Sequence, residues 1–366
     1  MNRMPVPPRW PTAVALMLLP FMTAALPSSA LAQQATPAKV IVMTGSPQGS
    51  TSVAMYWIGK PLGFQAEENI DAEVLTVPGG NVAQSAQLVL SGKADAALMS
   101  PDTVLVPTSQ GRDVGLVFAY NFYQRPTYKL LVSPTSGITS VAQLKGKAVG
   151  IGSRGNPAEP MLKAFLADAG MQISDIDLQP VGVDIPAAQA LKNGQISALL
   201  GVAPAWAVWD AAGYAFTALP TPKIFEQLIG SGVAVARQSL KDPAKRDALM
   251  RFFRTWAKST VFVNQNPEAA MRVNFESFPL AKPRNLSDAD ALRQGVRAQA
   301  IVLQDYGSNV DGKWGAYHPT AFRRYVDYLG LSEKIADVDA LWTNDLTAGI
   351  NDFDAEAVRR KAATYK

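Results

Sequence analysis

Between Lys39 and Tyr120 the chain alternates short apolar runs with longer amphipathic ones. The runs "KVIVMTG", "DAEVLTV", "ADAALM" and "DVGLVFAY" read as strands, and "SVAMYWIGKPLGF", "NVAQSAQLVLSG" and "PDTVLVPTSQG" read as helices. That alternation predicts an α/β lobe around a largely parallel sheet. A second series starts at Tyr128 and echoes the first. "AQLVLSGKADAALM" (Ala86 to Met99) aligns without gaps on "AQALKNGQISALLG" (Ala188 to Gly201), matching Gly92 with Gly194, Ala96 with Ala198 and Leu98 with Leu200. Upstream, Gly45-Ser46 corresponds to Gly152-Ser153. Two similar lobes, each presenting a Gly-Ser loop at a strand end, are the simplest account.

A further strand-like run, Gly230 to Gln238, leads into a helical tail that starts near Asp242. Its amphipathic stretches (Asp242 to Asn266, Pro267 to Phe278, Ser287 to Gln304, Pro319 to Gly330) have no strand series of their own and need a surface to pack on. The chain is therefore expected to return to its first lobe. Lobe one is then residues 33–122 plus 227–366, and lobe two is the inserted segment 123–226. Crossings near Phe122 to Arg125 and Thr221 to Leu228 would form a hinge.

The first 32 residues have a different plan. Arg3 and Arg9 precede the apolar run Ala13 to Leu26, and Ala30-Leu31-Ala32 precedes Gln33-Gln34. This is the layout of a secretory signal peptide cleaved near Ala32, so a periplasmic protein that is not membrane-embedded is expected. Without Arg3 and Arg9 the formal charge of +4 moves close to balance, which argues against nucleic acid as a partner. The chain has Cys 0 and His 1, which excludes thiol nucleophiles and cysteine-ligated metals and leaves no ordinary Ser-His triad. No cofactor and no metal are expected.

The segment "GIGSRGNPAEPMLKAFLADAG" contains a literal G-x-G-x-x-G at Gly150, Gly152 and Gly155. A dinucleotide site also needs the third glycine inside the helix and an acid about 20 residues on. Here Asn156, Pro157 and Glu159 read as N-cap, N1 and N3 of a capping box, so the helix starts after the third glycine. Glu159 would put negative charge where a pyrophosphate should sit, and Asp184 ends the next strand-like run too far downstream. A polar loop at a helix N-terminus gripping a small ligand fits better.

These residues resemble a known family: the nitrate/sulfonate/thiamine-precursor group of ABC-transporter periplasmic solute-binding proteins. The likeness is carried by Leu144 to Gly182, Ala190 to Gly201 and Tyr56 to Gly80. It implies a two-lobe, type II-like periplasmic-binding-protein fold that closes on one small molecule and delivers it to an ABC permease. Where many relatives have Asp-Ala at the end of the second repeat, this chain has Ser197-Ala198 followed by Gly201-Val202-Ala203-Pro204. The resemblance therefore does not carry a ligand over from any one relative.

Ligands of open α/β sheets sit beyond the carboxyl ends of the strands. Candidates from lobe one are Ser46, Pro47, Trp57, Asn81, Ser100, Asp102 and Tyr120; from lobe two they are Ser153, Arg154, Asn156, Asp184 and Trp206. Arg154 could clamp an anionic group bidentately, Asp102 could meet an amine, and Trp57, Tyr120 or Trp206 could stack on a flat ligand. Each has a plainer reading: Asn156 and Ser100 as helix caps, Ser46 as turn chemistry, the aromatics as core, His318 as a surface or capping residue. The expected function is capture of a small anionic or aromatic solute. A carboxylate-dependent lyase or hydrolase using Asp102 and Asp184, and a ligand-sensing adaptor for a membrane receptor, are the alternatives.

Overall fold

The apolar runs fold as strands and most amphipathic runs as helices in the computed structural model, which describes Met1, Pro8 and residues 36–77, 81–152, 158–306 and 310–365. The predicted signal peptide lies outside the described residues apart from Met1 and Pro8. In chain order the elements are β1 (Ala38–Thr44), α1 (Phe64–Glu67), β2 (Ile70–Thr76), α2 (Val82–Leu90), β3 (Ala96–Met99), α3 (Asp102–Ser109) and β4 (Leu116–Tyr120). Then come β5 (Tyr128–Val132), β6 (Ala148–Ile151), α4 (Ala158–Asp168), β7 (Asp177–Pro180), α5 (Ile185–Lys192), β8 (Ala198–Val202), α6 (Ala203–Ala211), β9 (Thr217–Ala218) and β10 (Gly232–Ala236). The tail holds α7 (Pro243–Gln265), α8 (Pro267–Ser277), α9 (Asp288–Tyr306), α10 (Ala321–Tyr328), α11 (Thr347–Ile350) and α12 (Ala355–Thr364).

The strands make two five-stranded sheets, in the orders β2-β1-β3-β10-β4 and β7-β6-β8-β5-β9. The orders are equivalent position by position. In each, the first three strands run parallel, and the fourth enters antiparallel from the other side of the chain crossing. The sequence repeat is this equivalence: α2–β3 and α5–β8 occupy matching places, and β1 Val42 pairs with Ala96 as β6 Val149 pairs with Ala198. Gly92 (φ 71°) and Gly194 (φ 72°) turn each helix towards its strand in the left-handed conformation, which costs glycine no Cβ clash. Because β10 pairs with β3 and β4, the chain after the second sheet re-enters the first.

The expected helix over "SVAMYWIGKPLGF" is broken. A 3₁₀ segment covers Thr51–Tyr56, with Val53 outside helical geometry, and only α1 follows. The cause is local: Pro61 has no N–H to donate, Gly63 sits at φ 80°, and a Cβ on Gly59 would lie 3.1 Å from Ser259 Oγ of α7. Nor does the strand-like run that leads to Asp184 stay extended in the sheet that far, since β7 ends at Pro180.

Gly150 has a packing reason rather than a phosphate one. It is the third residue of β6, where a Cβ would lie 2.5 Å from Ile196 Cδ1 and 2.9 Å from Val181 Cγ2. Gly150→Ala is therefore expected to cost about 1–3 kcal/mol through overpacking, seen as a lower urea midpoint with an unchanged slope. An unchanged midpoint would return the motif to the ligand.

The tail helices cover one face of the first sheet and reach the second. α7 packs along β1 and β2, with α12 and α11 outside it, and α9 lies between α8 and α6. α6 follows the second sheet's central strand, yet Ala203 and Ala207 are buried in the same apolar cluster as β1, α7 and the 3₁₀ segment. Among the described residues no helix is long and apolar enough to cross a membrane.

Candidate functional site

The strand ends of the first sheet are held by short polar contacts. Ser46 follows β1; its N–H donates to Thr44 Oγ1 (3.2 Å) and its carbonyl accepts from Thr76 Oγ1 at the end of β2 (2.7 Å). Pro47 O accepts from Ser50 N at 3.0 Å, closing the turn that leads into the 3₁₀ segment. Asn274 of α8 donates to Gly49 O (2.7 Å), and a Cβ on Gly49 (φ 73°) would lie 2.6 Å from Phe278 Cβ. The loop is thus pressed onto α8, and glycine alone allows that approach. Trp57 follows the 3₁₀ segment and is 5% exposed, with its ring edge-on to Phe278 at 6.0 Å.

After β3, Ser100 Oγ donates to Asp102 Oδ2, and Tyr325 Oη of α10 donates to the same oxygen at 3.0 Å. Asp102 is buried and has no cation paired to it among the described residues. Burial raises its carboxyl above the usual range against the two hydroxyl donors. Tyr128, at the start of β5 in the second sheet, feels this carboxylate, and burial chiefly, with that charge, pushes its own hydroxyl up. Asp102 therefore stands where the two sheets meet. Asn81 Oδ1 accepts from Gln84 N (3.1 Å) and caps α2.

Tyr120 belongs to the core rather than to a ligand-stacking face. It is 1% exposed, wedged against Phe253 and Phe122, because the last residue of β4 faces α7 across the sheet. Ser153, Arg154 and Asn156 lie outside the described residues. Asp184 is the N-cap residue of α5, but its side chain makes no cap hydrogen bond. Trp206, in the first turn of α6, packs on the clusters of both sheets, and Trp209 is core at 2%. His318 Nδ1 accepts from Thr320 N at 3.3 Å on the surface.

Contacts that sequence reasoning missed tie the sheets together. Lys129 Nζ of β5 meets Asp305 Oδ1 of α9 at 2.8 Å with both side chains buried. Gln294 donates to Ala211 O (2.7 Å), Arg297 pairs with Asp210 (2.8 Å), and Tyr328 Oη of α10 donates to Pro160 O of α4 (2.5 Å). The side-chain nitrogens of Trp57 and Trp206, and both polar atoms of Gln299 on α9, are buried without a partner. Such residues have no motif; only the periodicity of the tail helix marks Gln299 as inward-facing. A cavity of about 490 Å³ opens at the chain crossings, lined by Asn121, Arg125, Leu228, Ile229, His318 and Arg324 among others. Asn121, which follows β4, and His318 line it, whereas Ser46, Trp57, Ser100, Asp102 and Trp206 do not.

Comparison with known proteins agrees with this architecture. Residues 50–270 match the family described as NMT1/THI5 like. The riboflavin-binding protein RibY of Chloroflexus aurantiacus is 25% identical over 340 residues, covering 90% of this chain and 92% of that protein. The structure is similar to a putative periplasmic sulfonate-binding protein SsuA from Methylobacillus flagellatus KT (TM-score 0.58, 16% identity, 86% of this chain and 94% of that one). It is also similar to the periplasmic nitrate-binding protein NrtA from Synechocystis PCC 6803 (TM-score 0.58, 14% identity, 91% and 99%). Two equivalent sheets meeting at their strand ends, with a family match over more than half the sequence, place the chain in the NMT1/THI5-like family, the nitrate/sulfonate/thiamine-precursor group that its own segments resemble.

Proposed function

We propose that the chain is exported, loses its first 32 residues, captures one small organic solute between residues 33–122 plus 227–366 and residues 123–226, and delivers it to an ABC permease. The observation that carries this reading is the junction itself. Two sheets of equivalent order turn their strand ends towards one another, and side chains of both, with α9 and α10, close over the gap. Ligand contacts from both sides would then favour closure about the crossings. Ser46, Trp57, Asp102 and Trp206 are the proposed contacts among the described residues, with Arg154 and its neighbours proposed from the sequence alone. The names of the similar proteins supply the solute classes to try: flavins, sulfonates and nitrate.

The enzyme alternative draws on one observation, the buried Asp102 whose carboxyl is raised by desolvation, as a general acid needs. A thermal-shift screen of the mature chain from Gln33 separates the two. A true solute at 100 times its Kd adds about 2.7 kcal/mol of stability and is recovered chemically unchanged. Recovery of an altered compound, with turnover abolished and binding retained in Asp102→Asn, would make the protein an enzyme.

A further inference from the structure

We infer that the cavity at the chain crossings is a second small-molecule site, one that takes an α-amino acid zwitterion with an apolar side chain. Its volume of about 490 Å³ lies within the range of small-molecule pockets, about 300–1,000 Å³. Three parts of the chain wall it: the first crossing through Asn121 and Arg125, the second through Glu226, Leu228 and Ile229, and the tail through Asp311, Ala321 and Arg324. The two crossings run side by side, with Tyr123 N donating to Ser231 O at 2.9 Å and Gly230 N to Tyr123 O at 3.0 Å. An occupant therefore touches both crossings and α10 together.

The charges on these walls specify the occupant. Arg125 and Arg324 share the cavity with Glu226 and Asp311, yet among the described residues none of the four makes a salt bridge. Neighbouring surface charges do pair, as Arg323 does with Asp339 and Arg297 with Asp210. A molecule carrying one carboxylate and one ammonium answers both signs at once, and a guanidinium fork matches the carboxylate. A ligand of a single sign meets two like charges in the same space. Asn121 asks for a donor as well. It is 3% exposed, and its Nδ2 donates to Gln124 Oε1 at 3.0 Å and Ala316 O at 3.1 Å, while its Oδ1 has no partner. Buried acceptors are normally met by a donor, and an ammonium brings three. Leu228, Ile229 and Ala321 supply the apolar wall for a side chain. Held by both crossings and by α10, the occupant resists their movement past one another, so filling the site stiffens the crossings.

The test is titration calorimetry of the chain from Gln33 with L-leucine, with isocaproate, which lacks its ammonium, and with isoamylamine, which lacks its carboxylate. L-leucine is expected to bind, and each single-charge relative to bind about tenfold more weakly or worse. Arg324→Gln and Glu226→Gln are each expected to weaken leucine by about tenfold. Both side chains are exposed, so the thermal midpoint of the free variants should not move. Amide hydrogen exchange at residues 121–125 and 226–231 is expected to slow when leucine is bound. No heat from L-leucine, or equal affinity for isocaproate or isoamylamine, would overturn the inference. Full affinity in either variant, or unchanged exchange at the crossings, would place leucine outside this cavity and overturn it too. None of these outcomes bears on the solute-binding reading, because Ser46, Trp57, Asp102 and Trp206 do not line the cavity.

Discussion

Glu68→Ala is expected to lower folding stability by about 3–5 kcal/mol, the loss typical of breaking a buried ion pair. Glu68 caps the end of α1 with its side chain 7% exposed, and it holds two cations of α7: Arg254 Nη1 at 2.7 Å and Lys258 Nζ at 2.6 Å. Those cations are 14% and 9% exposed and cannot be rehydrated without moving α1 off α7. After the substitution Lys258 keeps only Glu67 at 3.0 Å, and Arg254 keeps only the carbonyl of Gly349 at 2.7 Å. Glu67 is a control beside it, because its side chain is 47% exposed. Glu67→Ala should cost under about 1 kcal/mol, as surface pairs do. Urea unfolding of both variants gives the comparison. Equal losses would show that burial at Glu68 is not what holds α1 to the tail. Adding Lys258→Met to Glu68→Ala should recover part of the loss, because the stranded charge is then gone.

Glu68 also shows where reading the sequence succeeds and where it stops. Period-2 and period-3.6 patterns made both sheets and the long tail helices legible, since α7, α8, α9 and α10 begin and end within a few residues of the amphipathic stretches. The helix–strand repeat was legible because Gly92 and Gly194 are demanded by the same left-handed turn in each half. What periodicity missed was the break at Thr51–Tyr56, where tertiary packing of Gly59 on α7 overrides an apolar run that looks helical. It also could not distinguish a glycine needed for β6 packing, Gly150, from one needed for a phosphate.

The strand ends at which the candidate residues stand were legible in the sequence, but the directions of their side chains were not. Naming Ser46, Ser100, Asp102 and Trp206 needed only the rule that ligands sit beyond strand ends. The same rule named Tyr120, whose ring turns into the core against Phe253, because a strand's last residue can face either side of its sheet. The pairings of Tyr325, Lys129 and Asp305 were invisible. Their meaning depends on where the tail crosses the second sheet, and contacts such as Tyr325 to Asp102 span 223 positions of chain. Nothing local in the sequence announces a partner that far away.

Lys129→Met is expected to have a comparable effect, about 3–5 kcal/mol of stability lost at neutral pH, and to carry a pH signature set by Asp305. Asp305 is 2% exposed and its Oδ2 already lacks a partner. Burial raises its carboxyl above the usual range, with Lys129 pulling the other way. Removing Lys129 withdraws that opposing influence, so the folded-state pKa moves further above the unfolded value of about 3.9. A folded carboxyl that holds its proton more tightly than the unfolded one makes stability fall as pH rises through its folded pKa. The deficit of the variant should therefore shrink on acidification and be smallest near and below the ordinary carboxylate range. Asp305→Asn in the Lys129→Met background should abolish this pH dependence and recover stability at neutral pH. Because the pair ties β5 of the second sheet to α9, its loss should also loosen that junction, and on the solute-binding reading proposed above apparent affinity for solute should fall with it. Chemical denaturation across pH, with the double variant alongside, reads the first effect, and titration with solute reads the second. A deficit that stays constant from acid to neutral pH would mean that Asp305 finds water once Lys129 is gone, and that the tie is not buried in solution.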